Sequence, residues 1–262
     1  MRYLFVFLLV GLVSCTDASS NASENVKPKL KEYSMDEVTM SNVTMAFFKK
    51  DMKPITGILK EDHENGQLKY EWNYKDGKQD GLCRTWYENG QLMNEANFKN
   101  GKPDGLGKGW YENGQLKIEA NYKDGKEDGL ARSWRENGQL MFEENYKDGV
   151  KDGLARRWRE NGQLEYEKNY KDGKLDGLFR VWYENGQLRL ETNYKDGKPD
   201  GLARFWHENG QLKYENNFKD GKEDGLCRAW YEDGQLMDEY NYKDSEIISQ
   251  KCWDENGNEI QC

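Results

Sequence analysis

The chain has 262 residues, of which 35% are apolar and 33% charged, with 27 glycines and a formal net charge of −9. That is too little aliphatic material for a thick two-layer core, while 9 Trp and 16 Tyr argue against simple disorder. The acidic balance speaks against a nucleic-acid binder, which carries a basic stripe, and against docking on anionic lipid head groups.

The first fifteen residues, MRYLFVFLLVGLVSC, place one positive charge at Arg2 before an apolar run from Tyr3 to Val13. The run is too short to span a bilayer and reads as a signal peptide. Its end, Leu12-Val13-Ser14-Cys15, resembles the lipobox of bacterial lipoproteins. That resemblance implies cleavage before Cys15, lipidation of its sulfur, and anchoring by several acyl chains, a stable attachment where a single chain is marginal. Residues 16–40 follow as a polar tether, Ser/Asn-rich at its start and interrupted by Pro28.

From residue 41 to 262 the chain repeats itself. Asp-Gly-Leu begins at Asp80, Asp104, Asp128, Asp152, Asp176, Asp200 and Asp224, and Gly-Gln-Leu recurs from Gly66 to Gly234 at the same 24-residue interval. A fixed period of this length marks a repeat array. Within one unit, Leu202, Arg204 and Trp206 alternate with Ala203 and Phe205, a strand period. Asn209-Gly210 then supplies the positive φ of a tight hairpin, and a second alternating run follows from Leu212 to Phe218. Asp220 to Gly225 reads as a longer, glycine-punctuated loop. The expected fold is all-β: an elongated, single-layer antiparallel meander of tandem hairpins, with a leading half-repeat from Ser41 to Lys60 and a last hairpin at Trp253 as caps.

Two hairpin registers compete. A three-residue loop, Glu208-Asn209-Gly210, gathers Leu202, Trp206, Leu212, Tyr214 and Phe218 on one face. A two-residue loop instead sets Arg204 opposite Glu215 and moves Leu212 to the other side. The first slot is basic in every unit and the second is always Glu. An exposed cross-strand ion pair contributes only ~0.2–1 kcal/mol, whereas removing a Leu from water contributes about 1.5–3 kcal/mol, so the segregated apolar face is favoured.

The pattern W-Y-E-N-G-Q-L, then E-x-N-Y-K-D-G-K-x-D-G-L, resembles the bacterial 24-residue variant of the MORN repeat over roughly residues 49–260. The resemblance implies a single-layer meander of hairpins forming an elongated, twisted sheet. Chains of this kind are often labelled antitoxin-like. Here Gly-Leu-Ala or Gly-Leu-Cys usually replaces the Gly-x-Gly common in such repeats, so lipid binding does not carry over.

No catalytic residue, metal ligand or cofactor is expected. GLGKGW (Gly105 to Trp110) lacks the spacing of a phosphate loop. His63 and His207 fill a slot held elsewhere by Tyr or Arg, which reads as a solvated flank. The loop carboxylates, such as Asp124, Glu127 and Asp128, read as turn formers. Trp86, Trp110, Trp134, Trp158, Trp182, Trp206 and Trp230 form the candidate binding surface, because flat aromatic faces bind sugars, peptides or other rings with little entropic loss. The competing reading is that one Trp per unit simply packs neighbour on neighbour. Cys83 and Cys227 read as small packing residues, and Cys252 with Cys262 as a disulfide across the last turn, permitted outside the cytoplasm.

The expected role is a non-enzymatic protein, lipid-anchored in the bacterial cell envelope on the outer membrane or the outer face of the plasma membrane. It would act as a scaffold or adhesin toward a protein partner, with Met93, Lys117, Met141, Glu165, Arg189, Lys213 and Met237 as specificity positions. A glycan-binding module using the Trp column and an antitoxin or immunity protein are the alternatives.

Overall fold

A computed structural model describes residues 30–42 and 45–262. The chain divides into Met1–Leu30 and Lys31–Cys262, and the second unit carries all the strands that follow. Cys15 and most of the expected tether lie outside the described residues.

The unit begins with β1 (Glu32–Ser34), β2 (Val38–Asn42) and β3 (Met45–Phe48). The repeats supply β4 (Gly57–Asp62), β5 (Leu68–Lys75), β6 (Lys78–Trp86), β7 (Leu92–Lys99), β8 (Lys102–Trp110), β9 (Leu116–Lys123), β10 (Lys126–Trp134) and β11 (Leu140–Lys147). They continue with β12 (Val150–Trp158), β13 (Leu164–Lys171), β14 (Lys174–Trp182), β15 (Leu188–Lys195), β16 (Lys198–Trp206) and β17 (Leu212–Lys219). The array closes with β18 (Lys222–Glu223) and β19 (Gly225–Trp230), then β20 (Leu236–Lys243), β21 (Glu246–Trp253) and β22 (Glu259–Ile260). From β4 onward each strand pairs antiparallel with the next, β18 and β19 sharing one row against β17, in a single open sheet.

The hairpin register departs from both expectations by combining them. His207 N–H donates to Gln211 O at 2.8 Å and Gly210 N–H to His207 O at 3.0 Å, with Gly210 at φ 86°. This is the three-residue loop, and Trp206 duly pairs with Leu212. One extra residue, Lys213, then bulges out, so Phe205 pairs with Tyr214 and Arg204 with Glu215. The expected single apolar face is thereby corrected. Leu202, Arg204, Trp206, Leu212, Glu215 and Asn217 share one face, while Ala203, Phe205, Tyr214, Asn216 and Phe218 take the other. The bulge permits the ion pair without expelling Leu212, so the two energies never compete.

The expected long loop is also corrected. Asp220 (φ 52°) and Gly221 (φ 87°) alone make the turn, since Lys219 pairs directly with Lys222. Positive φ at both central residues is the turn geometry whose twist suits a hairpin, and Asp tolerates it. Beyond the equivalent turn, Asp200-Gly201-Leu202 stands opposite Asn193 alone, a second and larger bulge. The glycines there hold φ between 98° and 110°, a conformation that only glycine adopts without strain.

The N-terminal end differs from the rest. β1 pairs with β4 in parallel, the one departure from the antiparallel meander among the described residues. The β2–β3 hairpin bridges to β6 at Met45 and Lys78. Tyr33, Val38, Ala46, Ile55, Leu59, Tyr70 and Tyr74 close into a buried cluster flanked by Met40, Phe48 and Trp72. The N-terminal cap therefore starts at Glu32 rather than Ser41, so residues 32–40, expected in the tether, are strand and turn. Tyr33, Val38 and Met40 carry the strands that the polar neighbours disguise.

Candidate functional site

What the constant residues do decides which surface is left for binding. The Arg–Glu pairs run along one face as a connected ladder. Arg132 Nε lies 2.8 Å from Glu143 and its Nη1 3.4 Å from Glu119, Arg156 Nε 2.8 Å from Glu167 with Nη1 3.6 Å from Glu143, and Arg180 Nε 2.7 Å from Glu191. Arg84, Arg204 and Arg228 make the same hairpin contact. The Glu143 hydrogen bond, more than burial opposes it, holds Arg132 above its ordinary pKa.

In five units the Asn opposite the larger bulge restores what the bulge removes. Asn145 Nδ2 donates to Leu154 O at 2.8 Å, and Asn73, Asn121, Asn169 and Asn217 do the same to the Leu of the following strand. The Asp of Asp-Gly-Leu accepts the turn N–H of the next unit, as from Asp172 to Asp152 at 3.0 Å. Asn209 Oδ1 accepts the Gln211 N–H while its Nδ2 donates to Glu232 O in the next unit. Most of the constant Asn and Asp residues thus satisfy backbone groups that the bulges and tight turns leave open.

The slot of His63 and His207 is not a solvated flank. Tyr87 and Tyr111 donate their hydroxyls to Trp110 O and Trp134 O, Arg135 and Arg159 their guanidinium N–H groups to Trp158 O and Trp182 O. His63 Nε2 lies 2.9 Å from Trp86 O, and His207 Nε2 3.3 Å from Trp230 O with only 11% of its side chain exposed. Tyr, Arg and His share a donor at a similar reach, a signal that was present in the sequence.

The seven tryptophans sit on the Arg–Glu face, each half-buried, and each carbonyl named above receives the preceding unit's donor. Cys252 and Cys262 are disulfide-bonded, their Cα atoms 5.2 Å apart. Cys83 and Cys227 are buried, and burial pushes the Cys83 thiol up to about 11.

The opposite face is where the units differ. One row crosses six strand pairs through Phe142, Arg157, Tyr166, Val181, Leu190, Phe205 and Tyr214. A parallel row holds Glu144, Ala155, Lys168, Phe179, Thr192 and Ala203. The bulge residues, expected as specificity positions, join this face where they are charged: Glu165 lies 3.0 Å from Arg157. Toward the N-terminus the floor is lower, a hollow of about 230 Å³ over Ala96, Gly107, Gly109 and Ala120, adjoined by another of about 220 Å³ beside Phe142 and Tyr146. In the middle lies a basic group. Lys151 is 2.6 Å from Glu144, and although burial works against its charge, that carboxylate holds its pKa above the ordinary value. Burial, reinforced by Lys151, lowers the pKa of Lys168.

No curated protein matches the chain. Among solved structures, matches include the crystal structures of TcdB2-TccC3-Cdc42 and of TcdB2-TccC3, each 12% identical, covering 74% of this chain and 13% of the other, at a TM-score of 0.22. Eight tandem stretches, residues 55–76, 79–100, 103–124, 127–148, 151–172, 175–196, 199–220 and 223–244, match the MORN repeat variant, whose hairpin period is the one described above, and the chain belongs to that family.

Proposed function

We propose that the protein is a non-enzymatic scaffold, lipid-anchored at Cys15 in the bacterial cell envelope, that binds a protein partner through the variable face of its sheet. Repeats of this family suggest a role in binding protein or membrane, and they are not in general enzymes. One observation carries the reading. The constant residues are used up in holding strand to strand, while the residues that change from unit to unit gather on one side, open to solvent. Flat half-exposed aromatic and aliphatic side chains beside charged ones are the composition of a protein-binding surface.

A photo-crosslinking residue at Val181 or Tyr214 tests this in intact cells against one at Asn193 on the opposite face. Adducts from the first two and none from Asn193 support the reading; adducts from Asn193 alone end it. The exposed edges of the Trp column support glycan binding as a second reading, for which a peptidoglycan pull-down with Trp134→Ala, Trp158→Ala is the test.

A further inference from the structure

The variable face is not uniform along its length. Around β12 and β13 it is cationic, with Arg157 over the Phe142 ring at 5.2 Å and Lys168 between the rings of Tyr166 (4.4 Å) and Phe179 (4.9 Å). Over β14 to β17 it turns apolar, as Val181 opposes Leu190, Leu190 opposes Phe205, and Phe205 opposes Tyr214 with ring centroids 6.3 Å apart. Arg157 has Glu165 and Lys151 has Glu144, but Lys168 has no carboxylate at ion-pair distance among the described residues. Its ammonium lies over two aromatic rings, and Glu144, the carboxylate that acts on it from a distance, already pairs with Lys151.

We propose, on the basis of the protein-binding reading above, that this stretch receives an acidic, apolar segment of a protein partner: a carboxylate against Lys168 and apolar side chains on Val181, Leu190 and Phe205. Charge complementarity selects the anion, because a partly desolvated cation beside Lys151, whose own carboxylate Glu144 is already engaged, gains most from a further opposite charge. The row from Phe142 to Tyr214 steps across six strand spacings of about 4.8 Å, a span of roughly 29 Å, which an extended segment of about nine residues covers. Aromatic and aliphatic side chains at the far end supply the anchoring area, and the cationic end fixes direction.

A display library of random 12-residue peptides, selected on the full chain, tests the assignment. The expected binders combine Asp or Glu at one end with apolar residues at the other. They lose at least about tenfold in affinity on Lys168→Glu and keep it on Lys195→Glu, a charge reversal on the opposite face. Lys168→Gln repeats the measurement should the reversal disturb folding, which circular dichroism reports. Binders without excess carboxylate, binders indifferent to both Lys168 variants, or no binders at all overturn the proposal. So do binding to phosphatidylserine vesicles lost on Lys168→Glu, and dimerisation lost on Leu190→Asp, which assign the row to a membrane or a second copy. The crosslinking experiment separates the two levels. Adducts at Val181 that survive Lys168→Glu unchanged sink the acidic segment and leave the protein-binding face standing. An absence of adducts sinks both.

Discussion

The cap and the repeats solve the same problem by different means. In the cap, Val38, Ala46, Ile55 and Leu59 are fully shielded from solvent because β1 to β3 fold against the first hairpin. In the array from β7 to β17 the bulky residues are at most half-buried, and a ladder of hydrogen bonds and ion pairs repeats every 24 residues. The lesson is that a single layer can be held by polar bookkeeping of its backbone, provided one end carries an apolar plug. Stability in such a chain is a sum of unit terms and neighbour terms, with the terminal units special.

The largest effect separates the two regions directly. Leu59→Ala empties a fully buried site and is expected to cost about 2–5 kcal/mol, measured by urea unfolding. The half-exposed Leu202→Ala is expected to lose clearly less, and equal losses would erase the distinction. Reduction of the Cys252–Cys262 bond comes next. Closing ten residues corresponds to about 2–3 kcal/mol by chain entropy, felt only as faster hydrogen exchange in β21 and β22. Protection lost from β4 to β6 on reduction would contradict it.

Asn145→Ala removes the donor from Leu154 O across the larger bulge. The expected cost is about 1–3 kcal/mol, seen as exchange in β11 and β12 while the cap stays protected. The smallest effect is electrostatic. Burial raises the pKa of Asp238, so its charge opposes folding above that pKa and the penalty fades as pH falls through it. Asp238→Asn is expected to raise the melting midpoint at pH 7, with the difference shrinking toward acid; a difference that grows on acidification would reverse the assignment.

The sequence displays the period and the places where the chain turns, since Asn-Gly, Asp-Gly and an alternating Leu-Arg-Trp are local signals, but not that Asp220 and Gly221 alone close the second turn. It conceals the bulges, because one inserted residue such as Lys213 changes which side chain faces which without altering any local pattern. The Asn column was the available clue: a polar residue kept in every unit amid variable neighbours marks a backbone group in need of a partner. The cap was hidden for another reason, as its strands are short and bury single residues between charged ones. The candidate site was hidden most, because attention goes to the repeating tryptophans while the discriminating residues are those that never repeat.

The turn-to-turn couplings have a consequence for how such a molecule changes size. Because Asp152 serves the turn of the unit after its own, and the equivalent Asp residues from Asp80 to Asp200 do the same, neighbouring copies along this stretch meet through one shared handshake. A crossover between equivalent points of two units would return an unbroken sheet, longer or shorter by one hairpin, with every old neighbour still served. Length would then be adjustable in steps, and each added step would open a fresh strip of surface free to diverge.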